Sequence, residues 1–287
     1  MIIKSYAKVN LYLEVLGRLR DGYHDIDTLF QTISLYDTLH FYKMDHLGQG
    51  QFELECNIPG LVSDNIIWKA IESLKPYLPS NSKGLRIVLD KNIPMGSGLG
   101  GGSSNGAMTL LGLNQYYQLN LDEKVLMELA SRLGADVPFF IRGGLARGQG
   151  IGEQLTYYDE VVCPIHYLII YPNIHIVTKD AYEAIDRDHQ SVRKDLGTLL
   201  DGLMNKDLIK VSDNLFNRFE ESQFRKYPIL KDLKDKLLSF GALGALMSGS
   251  GSTVFGVFES QGKAQMAMNH FTDSPHTLFW AENIGIA

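Results

Sequence analysis

A chain of 287 residues has room for one large domain or two modest ones. Hydrophobic residues make up 45% and charged residues 21%, which excludes a disordered chain, a coiled coil and a disulfide-stapled miniprotein. The 27 Lys and Arg against 33 Asp and Glu leave a net charge of −6, a poor balance for a general binder of nucleic acid or anionic membrane.

Residues 1–16 alternate and are rich in Ile, Val, Leu and Tyr, which predicts a strand. Gly17 to Gly22 reads as a turn, and Ile26–Tyr42 resumes the strand-like pattern. Asp64–Leu78 predicts an Asp-capped helix carrying Ile66, Ile67, Ala70, Ile71 and Leu74, stopped by Pro76 and Pro79. A short strand at Leu85–Leu89 leads to PMGSGLGGGSSNG and then to a helix with Ala107, Leu110, Leu111 and Leu113 on its apolar face. A second helix runs from Leu121 to Leu133, where Gly134 ends it. Short strands return after Gly143-Gly144, among them Tyr167–Tyr171. Helical stretches follow around 206–220 and 229–239, then a strand–glycine–strand passage over 242–258, a helix near 261–271 and a strand near 276–281. Strands and helices mix without strict βαβ alternation, so the expected class is α+β. A division near 155–165 gives two domains, residues 1–158 and 159–287.

Cys56 and Cys163 form neither a metal-ligand pair nor a disulfide framework, which suits a reducing compartment. The start MIIKSYAKVN lacks the apolar core of a signal peptide, and no apolar run approaches the roughly 18 residues of a membrane helix. The expectation is a cytoplasmic protein. Its eight histidines are scattered without ligand spacing, so no protein-held metal is expected.

Glycine is concentrated. Sixteen of the 28 fall in three short segments, six in 94–106, five in 143–152 and five in 241–256. Glycine in patches marks backbone forced to positive φ or closely approached by something else. The segment Met95-Gly96-Ser97-Gly98-Leu99-Gly100-Gly101-Gly102-Ser103-Ser104-Asn105 opens directly into a helix. One reading is an anion site, where converging N–H groups and the positive end of the helix dipole meet a phosphate. Ser103 and Ser104 could add donors or ligate a phosphate-held Mg²⁺. The other reading is a flexible loop with a serine helix cap. No Lys follows the glycines, which excludes the G-x-x-x-x-G-K-[ST] loop. The formal G-x-G-x-x-G from Gly96 to Gly101 is a poor dinucleotide match, because Lys91 to Met95 separate it from the strand and Asp122 follows a helix.

PMGSGLGGGSSN resembles the phosphate loop of the GHMP kinases, the superfamily of galactokinase, homoserine kinase and mevalonate kinase. AKVNLYLEVLGRLRDGYHDIDTLFQTISLYD resembles their N-terminal motif and LMSGSGSTVFGVF their C-terminal glycine motif. AKVNLYL, DGYH, GLGGGSSN and LGADVPFF together resemble, more narrowly, the branch that acts on a cytidine-diphosphate-linked methylerythritol. These motifs run in order from Ala7 to Phe258. The resemblance implies a two-domain α+β fold with the active site in the cleft between domains. It also implies ATP and Mg²⁺, and phosphorylation of a small-molecule alcohol in isoprenoid precursor synthesis. No nucleic-acid or membrane partner is implied, and the protein would act as a monomer or homodimer.

The same resemblance assigns residues. Asp136, in Gly-Ala-Asp-Val-Pro, falls where these kinases place a catalytic base; on its own it reads as a helix cap. Lys8, otherwise a solvent-facing strand lysine, would stabilise that carboxylate and the developing alkoxide. Asn10, two residues on, leaves the same strand face and would bind substrate. Tyr23 would stack on a cytosine and His24 would bond its edge, the alternative being an exposed aromatic turn. Tyr182 would supply a second aromatic wall, with Thr178 just before it where relatives often have Thr-Pro. Asn65 and Lys91 fall at positions near adenine and phosphate; alone they read as a first-turn residue and a surface lysine. With Pro94 to Ser104 they make up the nucleotide side. Ser248-Gly249-Ser250-Gly251 predicts a tight turn approaching the glycine loop, with Gly249 and Ser250 near substrate. The competing functions are a kinase of another alcohol, such as homoserine or mevalonate, and a silent sensing relative. The aromatic pair speaks against the first, and the retained Lys8 and Asp136 against the second.

Overall fold

The computed structural model describes residues 1–161, 163–185 and 194–285. In chain order the strands are β1 (Ile2–Arg18), β2 (His24–Lys43), β3 (Phe52–Cys56), β4 (Leu85–Asp90), β5 (Leu145–Gln149), β6 (Gln154–Tyr157), β7 (His166–Tyr171), β8 (Phe216–Asn217), β9 (Gly244–Met247), β10 (Val254–Phe258) and β11 (Thr277–Glu282). The helices are α1 (Ile66–Leu74), α2 (Gly101–Tyr116), α3 (Glu123–Leu133), α4 (Val137–Arg142), α5 (Thr178–Ile185), α6 (Leu196–Met204), α7 (Leu208–Asp213), α8 (Glu220–Lys226), α9 (Pro228–Ser239) and α10 (Gln261–Met268).

Contacts gather these elements into two compact units that interleave along the chain. The first comprises Met1–Ala7, Tyr36–Ile93 and Gly100–Arg142; the second comprises Lys8–Leu35, Pro94–Leu99 and Gly143–Ala287. This differs from a single break after Tyr158. The reason lies in β1 and β2, strands of 17 and 20 residues that each pass from one unit into the other.

In the first unit β3 lies parallel to β4, Phe52 opposite Leu85, and β4 runs antiparallel to β2, Thr38 opposite Asp90. Alternation along β4 buries Leu85, Ile87 and Leu89, the period-2 signature of a strand with one covered face. Helix α2 comes close to that sheet because Gly112 has no side chain. A β-carbon there would stand 2.5 Å from the Phe41 ring and 3.0 Å from Ile3. Helix α1 buries Ile67, Ala70, Ile71 and Leu74, the 3–4 spacing of a single apolar stripe. Its cap is Asn65 rather than the expected Asp64, because the Asn65 Oδ1 accepts from the Ile67 N–H at 3.1 Å.

The second unit holds a four-stranded antiparallel sheet in the order β11-β7-β10-β9. Leu168, Ile170, Val254 and Phe258 of this sheet join Leu233 and Leu237 of α9 and Ala264 and Ala267 of α10 in one core. In the same unit β5 pairs with the first half of β2, and β8 with β1 at Tyr12 and Leu13. The helix expected over 206–220 is thereby interrupted. Parallel pairing of Phe216 and Asn217 with β1 overrides the local helical preference. Strand β3 and helices α5 and α6 lie outside the sequence expectations.

Candidate active site

Candidate residues fall in each unit. In the second unit the glycine loop lies against the turn between β9 and β10. Gly96 and Gly98 take φ of +58° and +83°, a region that side chains other than glycine rarely adopt. A β-carbon on Gly98 would lie 2.1 Å from the Ser248 carbonyl oxygen, so only glycine allows this approach. The Ser248 hydroxyl donates to the Gly98 carbonyl at 2.9 Å, and the Thr253 N–H to that of Ser97 at 3.1 Å. Asn217, held by β8, donates to the carbonyls of Met247 and Gly249 at 2.6 and 2.8 Å. Thr178, first residue of α5, shares a 3.1 Å hydrogen bond with the Ser250 hydroxyl. The structure thus brings Thr178, Gly249 and Ser250 to one turn beside the loop.

Lys8 is not a solvent-facing lysine. It is 3% exposed, and its ammonium donates to the Asn10 Oδ1 at 2.6 Å and the Gly98 carbonyl at 3.1 Å. The Phe30 ring lies 5.4 Å from it. Asn10 turns its amide to Thr28, 2.8 Å away, which fixes the orientation of the amide. A buried ammonium costs free energy unless acceptors surround it, and here the glycine loop supplies one of them. Lys8 and Asn10 therefore sit together, on one strand face, against the loop.

The aromatic candidates Tyr23, His24 and Tyr182 lie in the second unit. The ring of His24 stacks on that of Tyr182 with centroids 4.5 Å apart and planes 20° apart, and Phe219 meets Tyr182 edge-on at 4.8 Å. Tyr23 stands in a turn held by its own N–H on Asp21, the residue 60% exposed. His24 and Tyr182 are brought together, and Tyr23 offers an open face. His175, not singled out in the sequence, lies on the glycine loop, where a β-carbon at Gly96 would be 2.2 Å from its Nδ1.

In the first unit α2 starts at Gly101, preceded by Gly100 at φ +72° and without a side-chain cap. The Ser104 N–H bonds the Gly100 carbonyl, which leaves the N–H groups of Gly101, Gly102 and Ser103 at the positive end of a 16-residue helix. Gly102 is exposed, with open space where a side chain would project. The Ser104 hydroxyl, expected to face phosphate or metal, instead accepts from Ser5 at 2.8 Å in a fully buried position. Ser103 remains half-buried on the first turn.

Lys91 is 7% exposed and paired with Asp37 at 2.5 Å, so it is no surface lysine. Burial pulls its pKa down, against the pull of the Asp37 carboxylate. Asn65 spends its oxygen on the α1 cap and its amide on the Leu61 carbonyl at 3.0 Å. Asp136 is half-buried in the turn ahead of α4, whose Val137, Pro138 and Phe139 are buried. Asp37 and Asn105 lie inside motifs quoted from the sequence, but neither they nor Ser5 received a role there. The signal is a carboxylate, Asp37, set among Leu35, Tyr36 and Leu39 in SLYDTL.

Comparison with known proteins supplies what geometry alone does not. Residues 65–144 match the GHMP kinases N terminal domain and residues 199–274 the GHMP kinases C terminal domain. The 4-diphosphocytidyl-2-C-methyl-D-erythritol kinase of Clostridioides difficile (strain 630) is 40% identical over 261 residues, 90% of this chain and 87% of that protein. Its namesake from Alkaliphilus oremlandii (strain OhILAs) is 38% identical over 94% of this chain and 92% of its own. The chain belongs to the GHMP kinases, in the branch of the 4-diphosphocytidyl-2-C-methyl-D-erythritol kinases. A crystal structure of such a kinase superposes with a TM-score of 0.83 at 32% identity, covering 99% of this chain and 100% of that one. A homoserine kinase from Cytophaga hutchinsonii, at 21% identity and TM-score 0.71, shares the fold alone. The same holds for a mevalonate pyrophosphate decarboxylase from Streptococcus pyogenes, at 13% and 0.72. This two-domain α+β GHMP kinase is an ATP-dependent small-molecule phosphotransferase. Among the described residues no helix is long and apolar enough to cross a membrane.

Proposed function

We propose that this kinase transfers the terminal phosphoryl group of ATP to the 2-hydroxyl of 4-diphosphocytidyl-2-C-methyl-D-erythritol, in the non-mevalonate route to isoprenoid precursors. The observation that carries the reading is identity of 38–40% to kinases of that name across at least 90% of the chain. The local chemistry supports it. Phosphate oxygens suit the uncapped first turn of α2, where three N–H groups and the dipole await an anion. Open space at Gly102 lets a phosphate reach that backbone. Asn65 and Lys91 belong to the nucleotide side, their side chains shaping its walls.

Asp136 takes the proton of the attacking hydroxyl, which is a poor nucleophile at neutral pH until it is so engaged. The Lys8 ammonium, kept in place by Asn10 and Gly98, offsets charge that develops as the hydroxyl loses its proton. Cytosine stacks on the open ring of Tyr23 and bonds His24, whose orientation the Tyr182 ring sets. Thr178, Gly249 and Ser250 line the substrate side of the turn that supports the glycine loop. Mg²⁺ bound with the nucleotide would neutralise phosphate charge, with the Ser103 hydroxyl on the first turn of α2 as a side chain that could reach it. Cys56 and Cys163 are free thiols, in keeping with a reducing cytoplasm.

A phosphorus NMR time course with ATP, Mg²⁺ and the cytidine substrate tests the reaction. A new phosphomonoester signal on that substrate is expected. Equal or faster turnover of homoserine or mevalonate would overturn the assignment.

A further inference from the structure

Beneath the first turns of α2 lies a polar cluster whose centre is Asp37, a fully buried carboxylate on β2. Its Oδ1 accepts from the backbone N–H groups of Asn92 and Ile93 at 2.7 and 2.8 Å. Its Oδ2 accepts from the Lys91 ammonium at 2.5 Å and the Asn105 amide at 2.9 Å. One carboxylate thus collects four donors, which fills the acceptor capacity of both oxygens. Three of those donors come from the stem that leads into the glycine loop. The fourth comes from the helix that leads out of it.

The cluster continues upward. The Asn105 amide also donates to the Ser5 hydroxyl at 2.9 Å, and that hydroxyl donates to Ser104 at 2.8 Å. The side-chain links among Asp37, Lys91, Asn105, Ser5 and Ser104 are buried, and all of them belong to the first unit. Lys91 lies so close under the helix start that a β-carbon on Gly101 would be 2.8 Å from its Nζ. A cation there opposes the helix dipole and pays a desolvation cost as well. It stays because Asp37 offsets both. Nothing in the chemistry of a merely stable core calls for a charge pair at that spot, since buried ion pairs are weak contributors to stability. The position of the pair points to the loop instead.

We propose that Asp37 is a positioning residue for nucleotide binding, tying the incoming and outgoing stems of the glycine loop so that the first-turn N–H groups of α2 converge on one anion. This rests on the reading that the loop holds the phosphates of ATP. The residue touches no substrate; it acts through Lys91, Asn92, Ile93 and Asn105. Its removal therefore weakens nucleotide binding and leaves the cytidine side alone.

The test is calorimetric titration of ATP, and separately of CDP, into the full chain and three variants. Asp37→Asn keeps the shape but sets an amide against two donors, and its ATP dissociation constant should rise about tenfold or more, the effect of losing hydrogen bonds to a charged group. The CDP constant should stay within twofold, and kcat should largely recover at saturating ATP. A purely structural role would instead lower the folded, binding-competent fraction at an unchanged ATP constant. Asn105→Ala leaves the ion pair whole and removes one tie, so it serves if Asp37→Asn does not fold, and it should weaken ATP about threefold or more. Gly102→Ala, which adds a methyl where nothing lies within 4 Å, separates the two readings. If it leaves ATP affinity intact, the loop does not hold ATP and both readings fall. If it weakens ATP while Asp37→Asn and Asn105→Ala do not, or while they bind ATP more tightly, the Asp37 inference alone is overturned.

Discussion

Asp136 stands in the turn ahead of α4, a position where a side-chain oxygen can cap a helix or accept a proton. Substitution by asparagine separates the two roles, because Asn caps helices about as well as Asp but is no base. As the base, Asp136→Asn should lower kcat by about 10²–10⁴-fold with ATP affinity preserved. A kcat equal to wild type would return the residue to a capping role. On the cytidine side, the exposed ring of Tyr23 is the surface on which a base can stack. Tyr23→Ala should weaken CDP about 5- to 150-fold by calorimetry, the range expected for one base–aromatic stack. Tyr182→Ala should do likewise by releasing the His24 ring from its 4.5 Å contact, and Tyr182→Phe should cost little because the ring carries that contact. Wild-type affinity in Tyr23→Ala would reopen the case for another alcohol. The identities of these residues were legible in the sequence through a family likeness. Their surroundings were not: alternation along a strand says which face Lys8 and Asn10 share, but not that an amide and a loop carbonyl hold the ammonium.

At the scale of elements, two glycines of one loop make opposite demands. Gly98 is required by the fold, since it combines φ +83° with a backbone oxygen 2.1 Å from where a β-carbon would sit. Gly98→Ala should lose about 1–2 kcal/mol from the conformation alone, and more from the clash, in a denaturant titration. Gly102 is required by neither, as it lies in the first turn of α2 with nothing within 4 Å. Gly102→Ala should therefore raise stability by about 0.5–1 kcal/mol and, if phosphate binds at this first turn, weaken ATP. A variant that is more stable and binds ATP normally would show that the open space is not used. The glycine clusters made this loop and the 248–251 turn legible, for a ligand or a close approach leaves few other residue choices. Strand β8 was not legible, since two residues inside a helical stretch carry no period, and only β1 as a partner makes them a strand. Ser104 misled for a related reason: composition offered a hydroxyl at a phosphate loop, and packing turned it inward to Ser5.

For the molecule as a whole, its two thiols report on different events. Cys56 is half-buried at the end of β3, whereas Cys163 is buried and its thiol is pushed up by that burial. Alkylation of the native protein should label Cys56 first, and Cys163 only as fast as the surrounding structure opens; mass spectrometry of the digested protein distinguishes them. Equal labelling would mean that the structure around Cys163 opens readily. The α+β class followed from the mixed order of strands and helices, but the partition did not, because no linker marks it. Contacts run between segments far apart in sequence, and the chain passes between its units at residues 7, 35, 93, 99 and 142. That threading bears on how the protein is made. As the chain leaves the ribosome, residues 1–142 contain every segment of the first unit. The stretch Lys8–Leu35 meanwhile waits for partners more than a hundred residues downstream, among them Phe216 and Asn217. On the strand that carries Lys8 and Asn10, the pairing with β8 is completed only once residue 217 has been made. A truncated product that keeps an intact glycine-loop helix would still lack it.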